Sequence, residues 1–233
     1  MKFAVVIPTY QKIDGTTPFY LRRALLSVKE QTHIDYLVYL IGDYYENNIE
    51  FIELATSIIE PDKIKYINLP RAIEREKYPL NDKRLWASGG VNATNVGIEL
   101  AINDGYEYVC HLDHDDWWSP DHLSALNEYA NNNNLVLATM GLNHKKKIIP
   151  KDEMNPFYPK ASNLLHSATC INFKQIPLRY RDVYSEEDLI YPSDADLWNR
   201  LSKYMINNKI NGFLIKKVTT YHDKEGFLKN NNE

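Results

Sequence analysis

The chain has 233 residues, enough for one α/β domain with a small extension and a sizeable core. Hydrophobic residues make up 44% and charged residues 25%, an ordinary globular balance. A net charge of -4 argues against a nucleic-acid binder, and the one basic run, Lys145-Lys146-Lys147, reads as a solvated hairpin tip.

The N-terminus, Met1 to Pro8, carries an apolar stretch too short for a secretory signal and reads as a buried first strand, roughly Lys2 to Ile7. A helix follows from about Pro18 to Gln31, with proline well placed at its start. Ile34 to Gly42 is a second strand. Glu46 to Ile59 has helical spacing of Ile49, Ile52, Ala55 and Ile59. Lys63 to Leu69 is a third strand. Pro70 to Trp86 reads as a long charged connection, the kind that often carries function. Ser88 to Asn103 is a helix entered through Gly89-Gly90. Tyr106 to Leu112 is a fourth strand, ending in Asp113-His114-Asp115-Asp116. Asp121 to Asn131 is helical. Leu135 to Leu142 is a strand, and His144 to Ile149 pairs with it as a hairpin. Pro150 to Leu164 reads as a loop and Ser167 to Phe173 as a strand. Ser193 to Asn207 is a helix capped by Ser193 or Asp194, and Phe213 to Val218 is a last strand. The alternation predicts an α/β fold with a mostly parallel central sheet and helices on both faces. One domain over 1–228 is expected, dividing at residue 112, with a disordered tail at 229–233. No apolar run reaches the roughly eighteen residues of a membrane span. Cys110 and Cys170 have no CxxC spacing, so a reduced, cytoplasmic setting is the simplest account, with a disulfide between them left open.

Open α/β sheets bind ligands beyond the carboxyl ends of their strands. Four features fall there: Pro8-Thr9-Tyr10, Asp43, Gly89-Gly90 and Asp113-His114-Asp115-Asp116. Three carboxylates within four residues repel one another, and a divalent cation is the usual compensation. Hard oxygen ligands suit Mg²⁺ or Mn²⁺. The competing account is an acidic turn leading into the next helix. His111 reads as a core or strand-pairing residue, and Trp117-Trp118 as an acceptor wall or as core.

These pieces together resemble glycosyltransferase family 2, inverting enzymes with the GT-A fold. The resemblance runs from about Phe3 to about His222. Val5-Val6-Ile7-Pro8-Thr9-Tyr10 resembles the family's first strand and nucleotide loop. Leu21 to Thr32 is similar to its first helix. Ser88 to Gly97 resembles the segment usually rich in Gly, Ala, Arg and Asn. Leu112-Asp113-His114-Asp115-Asp116-Trp117 is close to its DXD metal motif. Ser193-Asp194-Ala195-Asp196-Leu197-Trp198 resembles the segment that carries the base. Gly42 stands where a first aspartate is common, Thr94 where an arginine is common, and Ser193 where an acidic residue often precedes the base.

The resemblance implies a nucleotide-binding half (1–112), a metal, acceptor and catalytic half (113–228), and roles for single residues. Tyr10 and Asp43 hold the nucleotide base, Pro8 gives a backbone contact, Asn95 belongs to the donor-binding set, and Asp113 lies against the ribose or diphosphate. Asp115 ligates Mn²⁺ or Mg²⁺, with His222 as a second contact, and Asp194 is the general base. The partners implied are a nucleotide diphosphate-sugar donor, a UDP-sugar first, and a glycan or other hydroxyl acceptor. Two rival readings stand beside this one. In the first, His111, Asp113, His114 and Asp115 form the cluster of a metal-dependent phosphoesterase or nucleotidyltransferase. In the second, the chain is a nucleotide-sugar binding protein of the same fold that has lost turnover.

Overall fold

The computed structural model describes residues 1–222 except 81, 132, 152–153 and 183–191. The expected domain end at 228 and the tail at 229–233 lie outside the described residues.

The first strand, β1 (Phe3–Thr9), is apolar almost throughout, as a strand covered on both faces requires. It pairs in parallel with β2 (Tyr36–Gly42) on one side and β4 (Tyr108–His111) on the other, and β3 (Ile64–Asn68) extends the block beyond β2. Alternate side chains go to opposite faces. Phe3, Val5 and Ile7 join one core with helices α1 (Thr17–Lys29), α2 (Asn48–Thr56) and α6 (His122–Tyr129). Ala4 and Val6 join the other with α5 (Val91–Asn103) and α7 (Ser193–Asn207). Helices therefore cover both faces, as expected.

Each helix docks through its spacing. Leu21, Ala24, Leu25 and Val28 of α1 recur at helical intervals and are fully buried. A buried leucine of this kind contributes about 1.5–3 kcal/mol relative to exposure. Helix α5 lies close on β1 because Gly97 has no side chain: a Cβ there would come within 2.5 Å of Val6 Cγ1.

Beyond β4 the sheet continues through β8 (Thr169–Asn172), β6 (Asn134–Leu142), β9 (Asn211–His222) and β5 (Asp116–Trp118), with β7 (Ile148–Ile149) beside β6. Here β8, β7 and β5 pair antiparallel to their neighbours, while β6 and β9 are parallel. The parallel block thus carries the strand ends that point at one crevice. The antiparallel half folds the later segments back towards them.

Three elements differ from the sequence reading. The connection after β3 holds two short helices, α3 (Ile73–Lys77) and α4 (Lys83–Ser88), too short for a hydrophobic period to show. Strand β9 runs on to His222, four residues past the expected end. Strand β5 was not expected at all. It pairs with the end of β9 and sets Asp116 opposite His222. Cys110 and Cys170 are also register partners across β4 and β8, and both are free and buried.

Candidate active site

A cavity of about 510 Å³ opens at the carboxyl ends of β1, β2 and β4. Its lining includes Pro8, Thr9, Tyr10, Asp43, Arg75, Leu85, Trp86, Gly89, Gly90, Asp113, His114 and Asp115. Five of the residues singled out from sequence (Pro8, Tyr10, Asp43, Asp113 and Asp115) therefore meet in one crevice.

The Asp43 wall is fixed by local packing. Gly42 ends β2 where a Cβ would press within 2.9 Å of both Asn68 Oδ1 and Phe51, so an aspartate there would have to displace those side chains. Tyr44 turns the chain with φ 58°. The Asn68 side chain then grips the Tyr45 backbone, accepting from its N–H at 2.8 Å and donating to its carbonyl at 2.9 Å. Asp43 N–H donates to the Thr9 carbonyl at 2.7 Å. The Asp43 carboxylate, only 4% exposed, is held at the crevice. Its Oδ2 lies 3.4 Å from Arg75 Nη2, and its Oδ1 has no hydrogen-bond partner. Burial raises the Asp43 pKa against the opposing charge of Arg75. A buried acceptor left unpaired costs about 1–3 kcal/mol, so a ligand N–H is its natural complement.

Arg75 escaped the sequence reading because α3 has only five residues. Its guanidinium sits 5.1 Å over the Tyr10 ring and also donates to the Asp43 carbonyl. The neighbouring Glu74 is 2% exposed and accepts from Asn92 N–H at 2.8 Å, at the start of α5. That helix begins after Gly90, whose φ of 79° favours glycine. Thr94, where the family commonly has arginine, is buried and donates back to the Gly90 carbonyl.

The acidic turn after β4 is tied from three sides. Leu112 N–H donates to the Val6 carbonyl at 3.1 Å, and Asp113 N–H to Ser167 Oγ at 2.9 Å. Arg23 reaches over from α1 to donate to the Asp115 carbonyl at 2.5 Å, while its guanidinium lies 4.0 Å over the Trp117 ring. Trp117 stacks on Tyr221, whereas Trp118 is 2% exposed core. Asp115 is half-buried at the crevice. Asp116 is 1% exposed and lies 2.8 Å from His222 Nδ1. Burial opposes charge on His222, but its bond to Asp116 and the surrounding carboxylates carry its pKa to about 9.

Among the described residues no three His, Cys, Asp or Glu side chains converge as a ready metal cage. Magnesium-type sites need only one or two carboxylates, with water and substrate phosphates completing the shell. The Asp116–His222 pair has the form of a carboxylate behind a metal-binding histidine. The donor set thus fits a divalent ion that arrives with a diphosphate.

Asp194 stands in the first turn of α7. The cap is Pro192, and no side chain caps the helix, which corrects the expectation of Ser193 or Asp194 in that role. Asp194 Oδ1 accepts from the adjacent Ala195 N–H at 2.7 Å. Burial raises the Asp194 pKa, His166 lowers it and Asp113 raises it, so the carboxylate is within electrostatic reach of the Asp113–His166 pair, although it is not among the cavity's lining residues. Asp196, two residues on, is committed elsewhere. Arg181 grips both its oxygens at 2.9 and 2.6 Å, and Arg200 Nε donates to Oδ2 at 2.7 Å. Asn95 is not among the cavity's lining residues. Its side chain bonds both the N–H and the carbonyl of Tyr180, at 3.1 and 2.8 Å.

Behind the acidic turn lies a network the sequence did not suggest. His166 Nδ1 is 2.7 Å from Asp113 Oδ1, and His166 Nε2 is 2.7 Å from the Tyr180 hydroxyl. The same hydroxyl is 3.3 Å from His111 Nε2, and His111 Nδ1 is 3.1 Å from Thr169 Oγ1. Burial pushes the Asp113 carboxyl up, but His166 beside it holds the pKa down at about 2.

Comparison with known proteins shows what the chain is similar to. The chain is 38% identical over 243 residues to an uncharacterized glycosyltransferase of Acanthamoeba polyphaga mimivirus, covering 99% of this chain and 97% of the relative. It is 37% identical over 130 residues to the succinoglycan biosynthesis protein ExoW of Rhizobium meliloti, covering 55% of this chain and 33% of that one. Among solved structures it resembles S. aureus TarS 1–349 in complex with UDP-GlcNAc, with TM-score 0.63 and 17% identity over 97% of this chain and 59% of that one. It also resembles the mannosyltransferase PcManGT of Pyrobaculum calidifontis in complex with GDP-Man and Mn²⁺, with TM-score 0.62 and 12% identity over 97% and 58%. The chain thus spans less than two thirds of either solved structure. These likenesses bear out the GT-A-like fold. No protein-family model matches the chain.

Proposed function

We infer the activity from one premise: this chain belongs to the glycosyltransferases, as its match along nearly the full length of the viral relative shows. We propose that it moves a sugar from a nucleotide diphosphate-sugar, a UDP-sugar first, to an acceptor hydroxyl with inversion at the anomeric carbon. The observation that carries this reading is the meeting of Tyr10, Asp43, Arg75, Asp113 and Asp115 in one crevice, with an unpartnered buried oxygen on Asp43.

In this reading the pyrimidine ring stacks on Tyr10, its imide N–H donates to Asp43 Oδ1, and Arg75 keeps that carboxylate in place. The TarS and PcManGT complexes, with UDP-GlcNAc and with GDP-Man and Mn²⁺, support a nucleotide-sugar donor in this fold. Asp113 lies beside the ribose and diphosphate. Asp115, with His222 braced by Asp116, would hold Mn²⁺ or Mg²⁺. A bound divalent ion there supplies charge neutralisation for the departing diphosphate, worth several kcal/mol.

Asp194 takes the proton of the acceptor hydroxyl. The oxygen forms its bond to the anomeric carbon as the bond from that carbon to the diphosphate breaks. The nucleoside diphosphate leaves with the electron pair, and no covalent enzyme intermediate forms. Placement of the base contributes roughly 10²–10⁴-fold. The acid limb of the rate profile lies above the usual carboxylate range, because burial raises the Asp194 pKa and only the ionised form accepts a proton.

The test is release of nucleoside diphosphate from a panel of UDP-, dTDP- and GDP-sugars with Mn²⁺. UDP release from one of them is the expected result. Release of nucleoside monophosphate or pyrophosphate would make the chain a phosphoesterase or nucleotidyltransferase instead. Binding without any release would leave only the sugar-nucleotide binding protein.

A further inference from the structure

We propose that His166 is a positively charged positioning residue, a fixed imidazolium that holds Asp113 in place and keeps Asp194 ionised. The inference rests on the glycosyltransferase reading for its role, while its charge rests on the hydrogen-bond pattern and on the carboxylates beside it.

Each hydroxyl has one proton to give. Thr169 gives its proton to the His166 carbonyl at 2.8 Å. Its contact with His111 Nδ1 at 3.1 Å must therefore use an N–H on His111. His111 is fully buried, beside Phe173 and Tyr180, with no carboxylate bonded to it. A neutral ring there leaves Nε2 as an acceptor, and the Tyr180 O–H supplies it at 3.3 Å. The Tyr180 oxygen then has no proton left, so its 2.7 Å contact with His166 needs Nε2–H as donor. At the other end the Asp113 carboxylate accepts from His166 Nδ1–H at 2.7 Å. Both ring nitrogens carry protons. Two alternatives exist. One moves the charge to His111, away from Asp113 and into the core. The other leaves both rings neutral, but it turns the Thr169 proton from the His166 carbonyl at 2.8 Å to His111 Nδ1 at 3.1 Å, giving up the shorter bond. Burial disfavours the charge at His111, whereas Asp113 and Asp194 outweigh burial at His166.

The position of this cation matters for chemistry. It is within electrostatic reach of Asp113 from the turn after β4, Asp116 from β5 and Asp194 from α7, and it lies beside His111 of β4 and Tyr180 of the segment before α7. Asp113 and Asp194 would otherwise repel each other across the site. A cation beside a carboxylate lowers its pKa by about 1–3, so His166 opposes the burial that raises Asp194.

Two measurements test this. The first needs no substrate. In ¹⁵N-labelled protein at pH 7.5, long-range ¹H–¹⁵N spectra should show both His166 ring nitrogens protonated, the signal being assigned by its loss in His166→Asn. A neutral single-tautomer pattern for His166 would overturn the proposal. The second uses the same variant, which keeps one N–H towards Asp113 but no charge. With the fold intact by circular dichroism, kcat for UDP release should fall by about tenfold with donor KM changed less than about threefold. The acid limb should move up by about one pH unit. An unmoved limb with a normal kcat would refute the role. A wild-type protein that releases no UDP defeats the functional reading instead, and the spectra still decide the charge.

Discussion

The chain treats two carboxylates, at the ends of the strands that flank β1, in opposite ways. Asp43, after β2, keeps one oxygen without a hydrogen-bond partner, and its pKa is raised by burial. Asp113, after β4, is bonded to His166 and held at about 2. The first arrangement is incomplete without a donor from outside. The second already has a partner within the protein. In the proposed reading, Asp43 recognises the base through its open valence, and His166 holds Asp113 in place for the donor. The same contrast separates Asp194, whose side chain accepts from its neighbour's N–H, from Asp196, which two arginines clamp.

The largest effect that could break this contrast is on rate. Asp194→Asn should cut UDP release by roughly 10²–10⁴-fold, because an amide cannot accept the proton. Melting temperature and UDP affinity should stay near wild type, since no side chain caps α7. Near-normal turnover would mean that Asp194 is not the base.

A smaller effect is expected behind the metal position. Asp116→Asn weakens the brace on His222 and should lower apparent Mn²⁺ affinity by about 10–100-fold, the usual cost of losing such a partner. Titrating Mn²⁺ into the UDP-bound protein by calorimetry measures it. An unchanged affinity would remove His222 from the site.

The smallest effect sharpens the helix α7 comparison. Asp196→Ala strips Arg181 and Arg200 of a shared acceptor and should cost about 1–3 kcal/mol. That is a fall of several degrees in melting temperature for a chain of this size. Turnover per folded molecule should survive. If Asp196→Ala instead mimics Asp194→Asn, the clamped carboxylate takes part in catalysis.

The sequence carried the parallel block well, because β1, β2 and β4 are apolar runs that end abruptly in polar residues. It also made Tyr10, Asp43, Asp113 and Asp115 legible as residues of one crevice, because they lie within four residues of those strand ends. Arg75 was hidden, since a five-residue helix has no readable period. The His166 network was hidden for another reason. Its members come from β4, the turn before β8 and the segment before α7, and only the antiparallel return of β8 beside β4 makes them neighbours. Asn95 looked like a ligand residue by motif, yet its amide matches the Tyr180 backbone, a use that no local pattern announces.

The central claim is that Asp43 marks a nucleotide-base site, and calorimetry of UDP binding with Mn²⁺ tests it most directly. The wild-type protein should bind saturably. Asp43→Ala should bind about 10–100-fold more weakly while still melting cooperatively, as expected for one hydrogen bond to a charged group worth about 1.5–3 kcal/mol. Equal affinity in the two proteins, or a variant that fails only by unfolding, would contradict the account.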